Sequence, residues 1–295
     1  MKIIPLFDSA TSTLTYILID EKSRHAAVID PVWDYDQGSS TLSNKSFHDL
    51  CDLLEQHQAT LKLVMETHAH ADHVSSSQLL KTKYPDAVLC VGRGITEVQS
   101  IFRPALALGP WFKTDGSQFD RLLDDGDVLN LGETKIRVLS TPGHTPACCS
   151  FLVGKYVFTG DSLFLPDCGT GRCDFPGGSA KKLYRSLSEK IFKLDEDTVC
   201  CAGHDYPPNQ RSWKFGATVK EQRESNIHIR SHTTEEEYVK FREARDKTLA
   251  APRLLLPSIQ INADAGHLPP KNILNGKSYL SIPISAQSIE EVSDR

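Results

Sequence analysis

Nowhere in this 295-residue chain does an apolar run approach the roughly 20 residues that a helix needs to cross a bilayer, which argues against membrane insertion. The start, Met1-Lys2-Ile3-Ile4-Pro5-Leu6-Phe7-Asp8, is broken by Pro5 and Asp8 before an export-type apolar stretch can form, so a soluble, cytoplasmic protein is expected. Nor is there an excess of basic charge. Lys and Arg number 33 against 38 Asp and Glu, and the formal net charge of −5 speaks against nucleic acid as a partner while leaving room for a local basic pocket. No repeat or low-complexity segment interrupts the chain. Gly92-Arg93-Gly94 carries neither phosphate-loop fingerprint in full and reads as a turn.

Eight cysteines are present, but without an export signal a disulfide framework is not expected. Cys148-Cys149 and Cys200-Cys201 are adjacent pairs inside apolar, strand-like segments, so their members face opposite sides of a sheet as small core hydrophobes. Cys168 and Cys173, in a Gly-rich loop, are not at C-x-x-C spacing and suit no standard zinc knuckle.

The first half reads as β-rich with interleaved helices. Residues 13–19 and 26–29 form a hairpin, and Phe47, Leu50, Cys51 and Leu54 recur at helical spacing over 46–58. Strands follow at 62–66 and 87–91, with a helix at 75–83 between them; residues 103–120 read as a turn-laden loop. Further strands are expected at 135–139, 149–153, 156–159 and 198–202, with Gly154-Lys155 as a two-residue hairpin turn. Leu183, Leu187 and Ile191 put one apolar stripe on a helix near 179–193. Residues 216–229 and 234–250 are charged and helix-prone, and the tail reads as loop ending in a strand-like run, Tyr279 to Ile284.

The densest chemistry lies in His68-Ala69-His70-Ala71-Asp72-His73, directly after the apolar run Leu63-Val64-Met65. Imidazole nitrogen and carboxylate oxygen are the donors that hold zinc or non-haem iron. The remaining candidates each end a short β-like run: His144 in Thr141-Pro142-Gly143-His144-Thr145, Asp161 in Thr159-Gly160-Asp161, and His204 in Gly203-His204-Asp205-Tyr206. Loops from several strands would thus gather at one sheet edge around an ion.

This order of motifs resembles the metallo-β-lactamase superfamily from about residue 10 to 206. The resemblance implies an α/β fold, a four-layer αβ/βα sandwich, with the metal at one sheet edge. Residues 1–206 would form the metal-binding core and residues 207–295 a helical, loop-rich C-terminal extension packed on the same domain. Asp30, in Val28-Ile29-Asp30-Pro31, matches the family's buried Asp near the metal loop, or is a plain turn residue before proline. The segments Thr67 to Val74, Thr141 to Cys148, Gly160 to Phe164, Gly169 to Gly178 and His204-Asp205-Tyr206 are similar to the persulfide dioxygenase branch. Val219 to Asn226, Arg242 to Asp246 and Leu255 to Asn262 look like its longer bacterial type, which includes β-lactamase-like hydrolases of biofilm-associated operons.

That branch implies one Fe(II) on His68, His144 and Asp161, with His70, Asp72, His73 and His204 as outer groups or as ligands of a second site. The substrates would be O2 and glutathione persulfide or a similar low-molecular-weight persulfide, the products sulfite and thiol. A fused sulfurtransferase domain is not expected, so a separate sulfurtransferase or sulfide-oxidising enzyme would supply the persulfide. Glutathione carries carboxylates, and Arg211, Arg172 and Arg253 are the candidate rim cations; Tyr206 is a candidate ligand-contacting hydroxyl. Relatives with Cys at position 170 and Thr at 173 differ from the Thr170 and Cys173 seen here. The competing reading is a glyoxalase II-like thioester hydrolase with two Zn(II): His68, His70 and His144 on one, Asp72, His73 and His204 on the other, Asp161 bridging. A non-catalytic scaffold is disfavoured because no ligand is missing. Oligomeric state is left open, a homo-oligomer included.

Overall fold

Every residue of the strand Thr13–Ile19 is buried, as befits a strand with a packed layer on each face. The computed structural model describes residues 1–284. In chain order it contains β1 (Lys2–Asp8), β2 (Thr13–Ile19), β3 (His25–Ile29), β4 (Val32–Asp36), β5 (Thr41–Ser43), α1 (Lys45–Gln56), β6 (Thr60–Glu66), β7 (Val74–Ser75), α2 (Ser77–Lys83), β8 (Val88–Gly92) and α3 (Ile95–Ala105). Then follow β9 (Arg121–Leu123), β10 (Val128–Leu131), β11 (Thr134–Ser140), β12 (Cys149–Val153), β13 (Tyr156–Gly160), α4 (Ala180–Glu189), β14 (Val199–Ala202), β15 (Gly216–Thr218), α5 (Val219–Ser225), α6 (Glu235–Asp246) and α7 (Leu255–Asn262).

Two six-stranded mixed sheets, β1-β2-β3-β6-β8-β9 and β10-β11-β12-β13-β14-β15, face each other. A small sheet, β5-β4-β7, flanks the metal loop. Alternation along the strands separates three apolar layers. Leu14, Tyr16, Met65 and Cys90 of the first sheet meet Ile136, Phe151, Phe158 and Cys201 of the second. The opposite face of the first sheet packs on α1, α2 and α3 through Leu50, Leu54, Leu80 and Ile95. The outer face of the second packs on α4, α5 and α6 through Leu183, Leu187, Val219 and Tyr238. This is the expected four-layer sandwich. Cys200 and Cys201 do point into different layers, and all eight cysteines are free.

The hairpin at Gly154-Lys155 forms, with Gly154 at φ +56°, the left-handed region the tight turn demands. Other expectations need correcting. Residues 103–105, expected to open a loop, instead complete α3; Pro104 is next to last in it, so its missing N–H weakens only the helix end. In the tail, α7 forms despite Pro257, the third residue of the helix, where an N–H has no intrahelical acceptor in any case. Tyr279 to Ile284 is not a strand. Ser281 instead pairs its backbone N–H and C=O with the Gln260 side chain, at 2.8 and 2.9 Å. Among the described residues, no helix is long and apolar enough to cross a membrane.

The end of α7 carries a pH-sensitive group. Asp264 accepts a hydrogen bond from the Gln118 amide at 3.0 Å, yet burial pushes its carboxyl up to about 6. A carboxyl that keeps its proton longer in the fold than in the unfolded chain costs stability as pH rises from about 4 through 6, and the loss persists above. Asp264→Asn keeps the acceptor and removes the charge. It is expected to stabilise the protein by about 1 kcal/mol at pH 8 and by nothing measurable at pH 4; urea midpoints at the two pH values check it.

Candidate metal centre

The candidate ligands all follow strand ends at one edge of the sandwich. His68, His70, Asp72 and His73 lie in the loop after β6, His144 after β11, Asp161 after β13 and His204 after β14. One donor atom each from His68, His144 and Asp161 lie within 4.8 Å of one another, and so do donors from His70, Asp72, His73 and His204. A third group joins His70 with Asp30 and Glu66. Asp161 links the first two sets, its Oδ2 standing 3.7 Å from His144 Nε2 and its Oδ1 3.3 Å from His204 Nε2.

Fixed tautomers aim the imidazoles. Asp30 accepts from the Thr67 N–H at 2.7 Å and from its hydroxyl at 2.8 Å, so Thr67 Oγ1 is free to accept from His68 Nδ1–H at 3.0 Å. His144 Nδ1–H donates to the Arg172 carbonyl at 2.7 Å, and His204 Nδ1–H to the Ser12 carbonyl at 3.3 Å. With Nδ1 protonated, each presents a bare Nε2 lone pair, the arrangement that metal-ligating histidines use. Nε2 of His68, His73 and His204 and single oxygens of Asp72 and Asp161 are buried with no hydrogen-bond partner. Orphaned buried polar atoms are rare and costly. Five converging in one place fit a divalent metal ion.

Electrostatics divide these groups: burial opposes the charged form of His204, yet Asp72 and Asp161 raise its pKa above the ordinary value. Burial, then the neighbouring imidazoles, hold His68 well below the ordinary histidine pKa, keeping it neutral and able to coordinate. Burial would raise the Asp72 carboxyl, but His204 and His73 outweigh it and hold it low. His70 shares the direction of His204. Burial opposes its charged form, yet Asp30 and Glu66, 3.0 and 3.3 Å from Nε2, hold its pKa well above the usual value.

Over the ligands opens a cavity of about 490 Å³, walled by Phe164, Phe175, Tyr206 and His228 and floored by Asp72, His144 and Asp161. Of the rim candidates, Arg172 and Arg253 line it and Arg211 does not. The Arg211 guanidinium is spent on Asp205, with two contacts of 2.7 Å, and on Asp167, at 2.6 and 2.9 Å. It braces the turn carrying His204 instead of facing a ligand. Arg172 lines the wall but is forked onto Asp174 at 2.6 and 2.7 Å. Tyr206 lies 5.5 Å from the His204 ring at 13°, stacked upon it. The sequence reading missed Arg245, an exposed cation of α6 that also lines the cavity. Its position three residues after the buried Arg242 puts both on one face of that helix. Cys168 lines the cavity too, and burial pushes its thiol up to about 11.

Residues 11–204 match the family described as the metallo-beta-lactamase superfamily. Glyoxylase B2 of Dictyostelium discoideum is 44% identical over 286 residues, 97% of each chain. The human protein named persulfide dioxygenase ETHE1, mitochondrial, is 32% identical over 203 residues, 68% of this chain and 67% of that one. The crystal structure of ETHE1 from Myxococcus xanthus superposes with a TM-score of 0.73 at 30% identity, covering 90% of this chain and all (100%) of that one. With the matched span enclosing every candidate ligand from His68 to His204, the chain belongs to the metallo-β-lactamase superfamily.

Proposed function

We propose that the protein is a persulfide dioxygenase holding one Fe(II) on His68, His144 and Asp161. The observation that carries this reading is the set of two imidazoles and one carboxylate, whose donors lie within 4.8 Å of one another. His70 turns Nε2 toward Asp30 and Glu66 and its donors group with those of Asp72, His73 and His204, while its buried Nδ1 has no hydrogen-bond partner. The likeness to the ETHE1 proteins supports the same assignment.

The overall reaction is persulfide plus O2 plus water giving thiol and sulfite, in which the terminal sulfur gives up four electrons and O2 accepts them. When bound, ferrous iron supplies that redox chemistry, since two imidazoles and one carboxylate leave coordination positions open. The chain supplies placement. Phe164 and Phe175 give the cavity apolar walls, Tyr206 covers the His204 side, and the exposed Arg245 and Arg253 offer charge to the carboxylates of glutathione or a similar carrier.

Protein purified without added metal is expected to hold about one iron per chain. In an oxygen electrode it should consume O2 and form sulfite in equal amounts from glutathione persulfide. Arg245→Ala with Arg253→Ala should raise KM several-fold while kcat stays within about twofold, the pattern of lost binding. Two zincs per chain, with turnover of S-lactoylglutathione and no oxygen uptake, would overturn the assignment. That second reading draws on the four-donor set of His70, Asp72, His73 and His204 and on the Dictyostelium relative's name.

A further inference from the structure

Beyond the ligands themselves, two buried ties run from the C-terminal helices to the backbone that carries them. Asn262, the last residue of α7, is 5% exposed and uses both ends of its amide. Its Nδ2 donates to the carbonyls of His70 at 2.9 Å and His73 at 2.7 Å, and its Oδ1 accepts from the Ser75 N–H at 2.8 Å. Three hydrogen bonds thus set the course of the chain through Asp72 and His73. The helix end is itself pinned, because Gln99 donates to the Ala263 carbonyl at 2.8 Å and Gln78 to the Ala265 carbonyl at 2.9 Å.

The second tie comes from α6. Arg242, 1% exposed, pairs with Asp246 at 2.5 Å and donates to the Thr170 carbonyl at 3.1 Å. Asp246 accepts from the Cys173 N–H at 2.8 Å. Between those two anchor points lie Gly171 and Arg172. The Arg172 carbonyl is the acceptor that orients His144, and the Gly171 N–H donates to the Asp161 carbonyl at 3.1 Å. A Cβ on Gly171 would sit 2.1 Å from that carbonyl oxygen, so the loop is pressed as close as backbone allows. An ion pair buried this deeply is weak evidence for stability alone. Here it fixes the partner of a ligand.

We propose that Asn262 and the Arg242–Asp246 pair are positioning residues for the metal centre, acting through His70/His73 and through His144, so that metal retention is a property of the C-terminal helices as well as of the ligand loops. The inference rests on the metal-centre reading: Asn262 acts on the His70, Asp72, His73 and His204 donor set and the Arg242–Asp246 pair on the His68, His144 and Asp161 set, whichever metal is native. Asn262→Asp keeps shape and the bond from Ser75 while turning an oxygen toward two carbonyl oxygens. Arg242→Lys keeps the charge and loses the fork.

Co(II) titrated into the metal-free full-length protein gives the test, with visible absorption for geometry, chelator competition for affinity and thermal unfolding of the metal-free form for stability. Both variants are expected to lose about 10-fold or more in Co(II) affinity and to alter the absorption bands, the scale seen when groups behind metal ligands are changed. Glu243→Ala, exposed on α6, should change neither. Should either variant fail to fold, Asn262→Ala removes the two donors without adding charge and is expected to lose affinity alike. Unchanged bands and affinity within twofold, alongside a lowered unfolding temperature, would reduce these residues to packing and overturn the proposal. A wild-type protein that takes up no Co(II) would sink the metal-centre reading itself.

Discussion

Asp161→Asn is expected to leave the fold intact and to cut persulfide-dependent oxygen uptake by more than about 100-fold, beyond the range that changes behind the ligands produce. Both carboxylate oxygens face imidazole nitrogens, Oδ2 toward His144 and Oδ1 toward His204. An amide of the same shape must turn an NH2 toward one of them, and it brings no negative charge to offset a divalent cation. Iron per chain, by elemental analysis of protein purified in parallel, should fall with the activity. Full iron occupancy with full activity would remove Asp161 from the ligand set. Full iron with lost activity would instead make it a group acting on substrate. The circular dichroism spectrum and unfolding midpoint of the metal-free protein should match wild type, because Asp161 Oδ1 has no hydrogen-bond partner to lose.

The cluster of candidate donors was legible in the sequence because metal chemistry restricts residue type and the strand-then-loop context is local. Helix α1 was legible for the same reason of locality: Phe47, Leu50, Cys51 and Leu54 share one buried face. Helix α7 was not, since all of its residues from Pro257 to Asn262 are buried and such a segment has no polar face to generate a period. The rim cations show the limit most clearly. Arg211 is close in sequence to His204, but Asp167 and Asp205 claim it. Arg245 is far from every ligand in sequence and reaches the cavity only because α6 packs beside the Gly169–Asp174 loop. Likewise Asn262 meets His70 across 192 positions, a contact no local pattern encodes.

Asp30→Asn has the second largest expected effect, and its logic is a proton count. Asp30 was open to two readings, metal-loop partner or turn residue, and both hold. Its φ of +51° is the left-handed conformation that Asn and Asp tolerate best, so the amide fits the backbone without strain. As a carboxylate it is acceptor-only and takes both Thr67 hydrogens, which obliges the Thr67 hydroxyl to accept from His68 Nδ1–H. An amide has one acceptor oxygen. If that oxygen keeps the Thr67 N–H, the NH2 faces the hydroxyl, which must then donate elsewhere, and His68 Nδ1 is the neighbour available at 3.0 Å. Donation to Nδ1 moves the imidazole proton to Nε2, the atom meant for metal. The expected result is a 10- to 100-fold weaker hold on metal, as for other hydrogen-bond partners of ligating histidines. Thr67→Val should lose metal similarly by deleting the relay, whereas Thr67→Ser keeps the hydroxyl and should stay within about threefold of wild type. Nitrogen-15 chemical shifts of the His68 ring read the tautomer directly. An Asp30→Asn protein still protonated at Nδ1, with wild-type metal affinity, would leave Asp30 only its role in the turn.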